Sequence, residues 1–150
     1  MEWTATARAN ATPCEVLQVL THPEAIRRWS PIDFDLDDLE GRRLVAGTRG
    51  RVTGRVAGVR VGFDFAIHVA DEARLELSAE GPVAIDVRYD LMHDEAGAEL
   101  NASVSLRGGR GVTGRLVEKA TAALLSAGAL EGAAGQIARV AESHSGAVAA

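Results

Sequence analysis

Apolar and polar residues alternate along most of the first two thirds of this 150-residue chain. Near the N-terminus, polar residues separate Trp3, Ala5, Ala7 and Ala9, which predicts a half-buried strand. Over residues 32–107 the apolar positions again step by two. Because successive side chains of a strand point to opposite faces, this region predicts a series of antiparallel strands with one apolar face.

The positions of the turns can be tested by asking whether each pairing keeps apolar residues on one face. Loops at 57–58, 71–73, 80–82 and 94–97 achieve this sorting. A helical interpretation would not produce such agreement. The predicted cross-strand pairs are Val56 with Val59, Val52 with Phe63, Arg51 with Asp64, Val69 with Leu75, Ile67 with Leu77, His68 with Glu76, Leu77 with Ile85, Leu75 with Val87, Tyr89 with Ala102, Val87 with Val104, and Ile85 with Leu106.

Two helix starts lie between the first strand and this series. Thr12-Pro13-Cys14-Glu15 has the spacing of a capping box with proline at the first helical position. Thr21-His22-Pro23-Glu24 repeats the capping-box spacing nine residues later. We therefore predict short helices over about 13–20 and 23–29.

After the last strand the apolar spacing changes to three or four, which predicts a helix over about 112–142. This helix, about 45 Å long, could lie across the whole sheet and bend at the glycine at 128, 132 or 135. The low-complexity residues 145–150 are expected to form a flexible tail. The predicted buried stripe comprises Val112, Leu116, Ala120, Ala123, Ala127, Leu130, Ala134, Ile137 and Ala141.

The charge balance is acidic, with 16 basic and 21 acidic residues and a net charge of −5. A chain with net negative charge is poorly suited to neutralising the phosphates of a nucleic acid, so we expect no nucleic-acid partner. The single cysteine, Cys14, forms no internal disulfide, and no His or Cys cluster has zinc-ligand spacing. The sequence also shows neither a long apolar run nor a signal-peptide pattern. We expect a cytoplasmic monomer or weak dimer with no metal, no cofactor and no stable membrane insertion.

The order of elements and one local segment resemble a known superfamily. Thr12-Pro13-Cys14-Glu15-Val16-Leu17, followed by Leu20-Thr21-His22-Pro23-Glu24-Ala25-Ile26-Arg27-Arg28-Trp29-Ser30-Pro31, is similar to the opening of polyketide cyclase/dehydrase-like members of the START/SRPBCC superfamily. The resemblance implies an α+β helix-grip fold. In this fold a curved antiparallel sheet of about seven strands wraps around a long C-terminal helix, with two short helices after strand 1. The resemblance covers a single domain over about 1–144.

The resemblance also implies an apolar cavity between the sheet and the C-terminal helix. Small helix residues facing the sheet favour such a space, whereas a sheet closed tightly onto the alanines would leave none. The predicted ligand-binding residues are Phe63, Phe65, Ile67, Leu77, Ile85, Val87, Tyr89, Ala102, Val104, Leu116, Ala120, Ala123, Ala127 and Trp29.

Two of these residues have alternative roles. Tyr89 carries the only hydroxyl that the register sends inward along 61–106, so it is the candidate polar contact and a weak catalytic candidate. Alternatively, it is a core tyrosine bonded to a backbone carbonyl or to water. Trp29 either forms a gate at the cavity entrance or fixes the short helices against the sheet.

Other patterns indicate surface chemistry. His68 could act as a general base beside Glu76 or Asp64, but the register sends all three outward, where a solvated cluster is the better interpretation. The motif Gly109-Arg110-Gly111-Val112-Thr113-Gly114 lacks the second parallel strand of a dinucleotide site and is interpreted as a tight turn before the last helix. The stripes expected to pair as a solvated ladder are Arg49, Arg51 and Arg55 with Asp33, Asp35 and Asp37.

The sequence therefore predicts a module that binds a small hydrophobic molecule such as a lipid, quinone or polyketide-like compound. Two alternatives stay open: a polyketide cyclase or aromatase that uses the same cavity, and a protein-interaction module resembling chaperone activators. The fold resemblance does not decide among these functions, since one fold hosts many activities.

Overall fold

The computed structural model describes residues 1–30, 34–37, 43–56, 58–95 and 97–149. Seven strands form one antiparallel sheet in the order β1-β7-β6-β5-β4-β3-β2, and four helices accompany it. This is the architecture of a helix-grip fold, as predicted. The elements are β1 (Glu2–Ala9), α1 (Pro13–Thr21), α2 (Pro23–Trp29), β2 (Phe34–Asp37), β3 (Arg49–Val56), β4 (Val59–Ala70), β5 (Arg74–Glu80), β6 (Ala84–Asp94), β7 (Gly97–Arg107), α3 (Gly111–Ser126) and α4 (Ala129–Ala149).

Two of the predicted hairpin registers are confirmed. Val52 lies opposite Phe63 across β3 and β4, and Tyr89 lies opposite Ala102 across β6 and β7. The remaining predicted pairs of these two hairpins also match. Alternation of side chains was sufficient to predict these two registers because both hairpins are regular throughout their length.

The β4–β5 register was predicted wrongly beyond Ile67. The pairing shifts between Ile67 and Val69, so that Val69 faces Glu76 and Ala70 faces Leu75. A β-bulge inserts one residue and reverses the side-chain alternation beyond it. Consequently Ala70, rather than Val69, packs against the core, and His68 does not pair with Glu76.

The β5–β6 register was also predicted wrongly, by two residues. Leu77 pairs with Val87 rather than with Ile85, because the connecting loop occupies 81–83 instead of 80–82. A shift of two residues leaves every side chain on its original face. The predicted inward and outward faces of β6 are therefore correct although the partners differ.

The two short helices form as predicted, but only the first has the predicted cap. Thr12 and Glu15 make a complete capping box at the start of α1. Thr21 is instead the last residue of α1, where its hydroxyl donates to the Leu17 carbonyl oxygen at 2.8 Å. His22 caps α2 without a side-chain hydrogen bond, so the second predicted capping box is wrong. His22 is the C-cap of α1 as well as the N-cap of α2, so no other residue separates the two helices.

The C-terminal helix is divided at Gly128, one of the three predicted bend positions. The φ angle of Gly128 is +99°, a conformation that favours glycine and ends α3. The second part, α4, extends beyond the predicted end to Ala149 and packs against β1, α1 and α2. No helix in the described part of the chain combines the length and apolarity needed to cross a bilayer. The predicted stripe residues of α4 are all buried: Leu130, Ala134, Ile137 and Ala141.

The predicted buried face of α3 is wrong. Val112 is 87% exposed and Leu116 is 50% exposed, whereas Gly114 and Val117 are buried. Gly114 can face inward because it has no Cβ, which would lie only 2.8 Å from the Pro82 carbonyl oxygen. Hydrophobic spacing cannot reveal a helix orientation that is set by a missing side chain. Ala123 and Ala127 are exposed with Leu116, and Ala120 is only partly buried.

The predicted tight turn before this helix is confirmed. Gly109 lies so close to the Gly114 carbonyl group that a Cβ at position 109 would clash with backbone. The Glu118 carboxylate accepts a hydrogen bond from the Gly109 amide at 3.0 Å. The glycines of the motif therefore allow close backbone packing at the start of α3.

Two adjacent substitutions in α3 test its orientation. We expect Val117→Ala to lower the free energy of unfolding by about 2 kcal/mol, because Val117 is 1% exposed and packs beside Val61, Val83 and Leu106. The control Leu116→Ala is expected to change it by less than about 0.5 kcal/mol. Urea denaturation measures both values. A larger loss for Leu116→Ala than for Val117→Ala would contradict this helix orientation.

Candidate functional site

An apolar pocket of about 300 Å³ lies on the inner face of the sheet. Its size is at the lower end of the range for small-molecule sites. Almost every described side chain in its wall is aliphatic or aromatic. The lining residues are Leu20, Ile26, Trp29, Ser30, Phe34, Leu36, Leu44, Val52, Phe65, Ile67, Leu75, Leu77, Ala79, Val87 and Tyr89.

The walls come from the sheet and from the C-terminal ends of α1 and α2. Strands β2 to β6 supply the sheet side, while Leu20, Ile26 and Trp29 supply the helical side. Among the described residues, neither α3 nor α4 contributes to the wall. The structure thus corrects the predicted position of the cavity, because α4 packs beside β1 instead of across the whole sheet.

Some of the predicted ligand-binding residues line the pocket, and the others lie elsewhere in the structure. Phe63 and Ile85 pack in a second hydrophobic cluster around Val117, and Ala102 and Val104 are buried in the main core. Leu116, Ala123 and Ala127 are exposed, and Ala120 packs against the second cluster, so the helix residues lie apart from the pocket. The predicted residues that do line the pocket are Trp29, Phe65, Ile67, Leu77, Val87 and Tyr89.

Several lining residues were missed. Phe34 and Leu36 belong to a short strand whose alternation was recognised, so the same parity argument could have included them. Leu44 was missed because the sequence around it shows no regular alternation of apolar and polar residues. It is fixed in the wall by a hydrogen bond from its amide to the Thr21 carbonyl oxygen at 2.8 Å.

Trp29 performs the structural role predicted for it and also lines the pocket. Its indole Nε1 donates to the Val19 carbonyl oxygen at 3.0 Å, which attaches the end of α2 to α1. The ring meets Tyr89 edge to face, with 6.4 Å between centroids and 77° between planes. Such aromatic pairs add about 0.5–1.5 kcal/mol beyond their area burial. Trp29 is therefore a fixed part of the wall.

Tyr89 supplies a neutral hydroxyl to this apolar wall. Burial of the phenol raises its pKa above the ordinary value of 10.0, because the ionised form would lose its hydration. The hydroxyl therefore remains protonated near neutral pH. It can donate or accept a hydrogen bond but is not a base, which weakens the prediction of a catalytic role.

The polar cluster around His68 lies on the outer face, as predicted. His68 Nε2 is 2.7 Å from the Ser78 hydroxyl oxygen, in an exposed position. Nearby, Arg74 and Arg88 both contact Asp90 at 3.0 Å. These pairs are partly exposed, so each contributes at most about 1 kcal/mol. Among the described residues, no group of His, Cys, Asp or Glu has a metal-binding arrangement.

Strands β2 and β3 are neighbours, as the predicted ladder of arginines and aspartates requires, but none of its ion pairs forms among the described side chains. Arg51 binds Asp64 on β4 at 3.3 Å, and Asp35 contacts Arg27 of α2 at 4.0 Å. Asp37 lies opposite Arg51 in the backbone register. Asp33 lies outside the described residues.

Comparisons with known proteins support the fold. TTHA0849 from Thermus thermophilus superposes with a TM-score of 0.71 and 15% identity, covering 97% of this chain and 99% of that protein. Protein CV1439 from Chromobacterium violaceum gives 0.67 and 14%, covering 94% and 97%. Ara h 8.0201 gives 0.57 and 16%, covering 91% and 97%. No protein-family model matches the sequence, and no curated protein matches it significantly. At these identities the similarity establishes the fold alone.

Proposed function

We propose that this chain binds a small hydrophobic molecule, such as a lipid, quinone or polyketide-like compound, in the pocket between strands β2–β6 and the ends of α1 and α2. The observation that carries the proposal is the apolar wall with Tyr89 as its aromatic hydroxyl. An apolar space of this size is suited to a ligand that loses little hydration on entry.

Simple arithmetic indicates moderate affinity. Burial of about 400 Å² of apolar ligand surface contributes about 10 kcal/mol at about 25 cal/mol per Å². An association cost of about 4 kcal/mol leaves about 6 kcal/mol, which corresponds to a dissociation constant of tens of micromolar. Added polar contacts, such as a hydrogen bond to Tyr89, would increase this affinity.

Binding is better supported than cyclase chemistry. Apart from Tyr89, Ser30 and the indole N–H of Trp29, which is bonded to Val19, the described lining residues have no polar side-chain group, and Tyr89 is neutral. General acid–base catalysis needs a group whose pKa lies near the working pH. The polyketide cyclase alternative therefore rests on the sequence resemblance.

A pocket-filling substitution tests the proposal. Ala79 on β5 lines the pocket, so Ala79→Trp would place an indole in that space. We expect saturable binding of the neutral dye N-phenyl-1-naphthylamine by the native protein and at least about tenfold weaker binding by Ala79→Trp. Fluorescence titration measures the affinity.

The control is Ala66→Trp, which adds the same side chain on the outer face of β4. It should bind the dye like the native protein. Circular dichroism melting checks that both variants fold. The proposal fails if the native protein does not bind the dye saturably, or if a folded Ala79→Trp variant binds it equally well.

A further inference from the structure

A second, larger groove adjoins the apolar pocket at the edge of the sheet. It has a volume of about 660 Å³ and is bordered by Phe34, Asp35, Thr53, Gly54, Arg27, Arg55 and Arg60. With three arginines and one aspartate, the described wall carries a net charge of +2. This local excess contrasts with the net charge of −5 for the whole chain.

Two of these arginines are direct neighbours. Arg55 on β3 lies opposite Arg60 on β4, and both are exposed. Like charges placed opposite each other in a sheet are destabilising. Among the described residues, neither arginine has a carboxylate within ion-pair distance, whereas Arg51 on the same strand pairs with Asp64. An anion between Arg55 and Arg60 would relieve this repulsion.

The third arginine, Arg27, contacts the residue that lies between the groove and the pocket. Arg27 lies over the Phe34 ring, 5.3 Å from its centroid, and donates to the Phe34 carbonyl oxygen at 3.2 Å. Phe34 borders both the groove and the apolar pocket. Side chains alternate along β2, so the presence of both Phe34 and Asp35 in the wall means that the groove wraps around the sheet edge. The two spaces are therefore adjacent, separated by Phe34.

We infer that the ligand is amphipathic, with its apolar body in the pocket and one anionic group, a carboxylate or a phosphate ester, beside Arg55 and Arg60. This inference rests on the proposed function. Guanidinium groups form charge-assisted, often bidentate hydrogen bonds to both kinds of anion. The preference is electrostatic at exposed arginines, so it decreases as salt concentration rises.

Competition for the bound dye tests the inference. Decanoate, decyl phosphate and the neutral 1-decanol have the same chain length and differ in their polar end. We expect the better of the two anions to displace N-phenyl-1-naphthylamine at about tenfold lower concentration than 1-decanol in dilute buffer. This advantage should fall to less than about twofold in about 0.5 M salt. Comparison of the two anions identifies the preferred headgroup.

Matched variants locate the anion site. In the double variant Arg55→Gln/Arg60→Gln the advantage of the anions should disappear, while 1-decanol binds as before. Arg49→Gln removes an exposed arginine on the same strand that does not border the groove, and should keep the advantage. Circular dichroism melting confirms that both variants fold.

The possible failures are distinguishable. Equal displacement by decanoate, decyl phosphate and 1-decanol would overturn the anionic headgroup and leave the hydrophobic pocket supported. An advantage that persists in the double variant would overturn the assignment to Arg55 and Arg60. If the native protein binds the dye saturably but none of the three compounds displaces it, this inference is wrong, whereas absence of saturable dye binding contradicts the proposed function itself.

Discussion

Gly97→Ala is expected to lower the free energy of unfolding by about 3 kcal/mol or more. Gly97 begins β7 with a φ angle of +135°, which side-chain-bearing residues rarely adopt. An added Cβ would also clash with the Ala9 carbonyl oxygen and lie 2.8 Å from the backbone nitrogen and oxygen of Ala11. Since backbone rather than a flexible side chain occupies this space, the end of β1 would have to move. Urea denaturation measures the loss.

Gly132→Ala is the matched control, with the opposite expected sign. Gly132 lies within α4, and a Cβ there would meet no atom within 4 Å beyond the adjoining backbone of its own helix. Alanine is favoured over glycine in a helix, so we expect stabilisation by about 0.5–1 kcal/mol. A tolerated Gly97→Ala substitution would contradict the close approach of β7 to the segment after β1.

The second large effect is expected for Ile137→Ala, which should cost about 3 kcal/mol and lower the melting temperature by roughly 10 °C. Ile137 is 0% exposed on α4, in the main hydrophobic core. Its truncation leaves a cavity where α4 packs against β1 and the two short helices. Differential scanning calorimetry measures the change.

Ile137→Val gives a graded control at the same position. It removes a single methylene group, so the expected loss is about 1 kcal/mol. A loss for Ile137→Ala no larger than that for Ile137→Val would show that this side chain is not enclosed. The position of α4 beside β1 would then be wrong.

Much of the fold follows from the sequence because strand alternation is a strong constraint. Faces were predicted correctly even where partners were not, as for Leu77 and Val87, since a shift of two residues preserves the face. The bulge beside His68 carries no pattern signal, so Val69 was placed wrongly. Bulges depend on local backbone geometry that hydrophobic spacing does not encode.

The pocket was less predictable than the sheet. Tyr89 and Leu77 were identified because they alternate on regular strands, and Trp29 because the resemblance placed it near an entrance. Leu44 comes from an irregular segment. The prediction that α3 residues line the pocket was wrong because α3 turns Gly114 inward and thereby exposes Leu116 to solvent. Alanine-rich helices offer little contrast between faces, so a few close contacts decide their orientation.

The acidic residues of β2 have a consequence for self-association. In the described sheet β2 is the strand at one border, and two of its residues, Asp35 and Asp37, are aspartates. Unpaired edge strands can template intermolecular strand addition, and short, charged edges suppress it. Growth of a continuous sheet from this side would bring the aspartates of two copies together, and their carboxylates repel each other. The fold thus keeps a largely apolar concave surface, while the charges of β2 disfavour intermolecular strand pairing along this border.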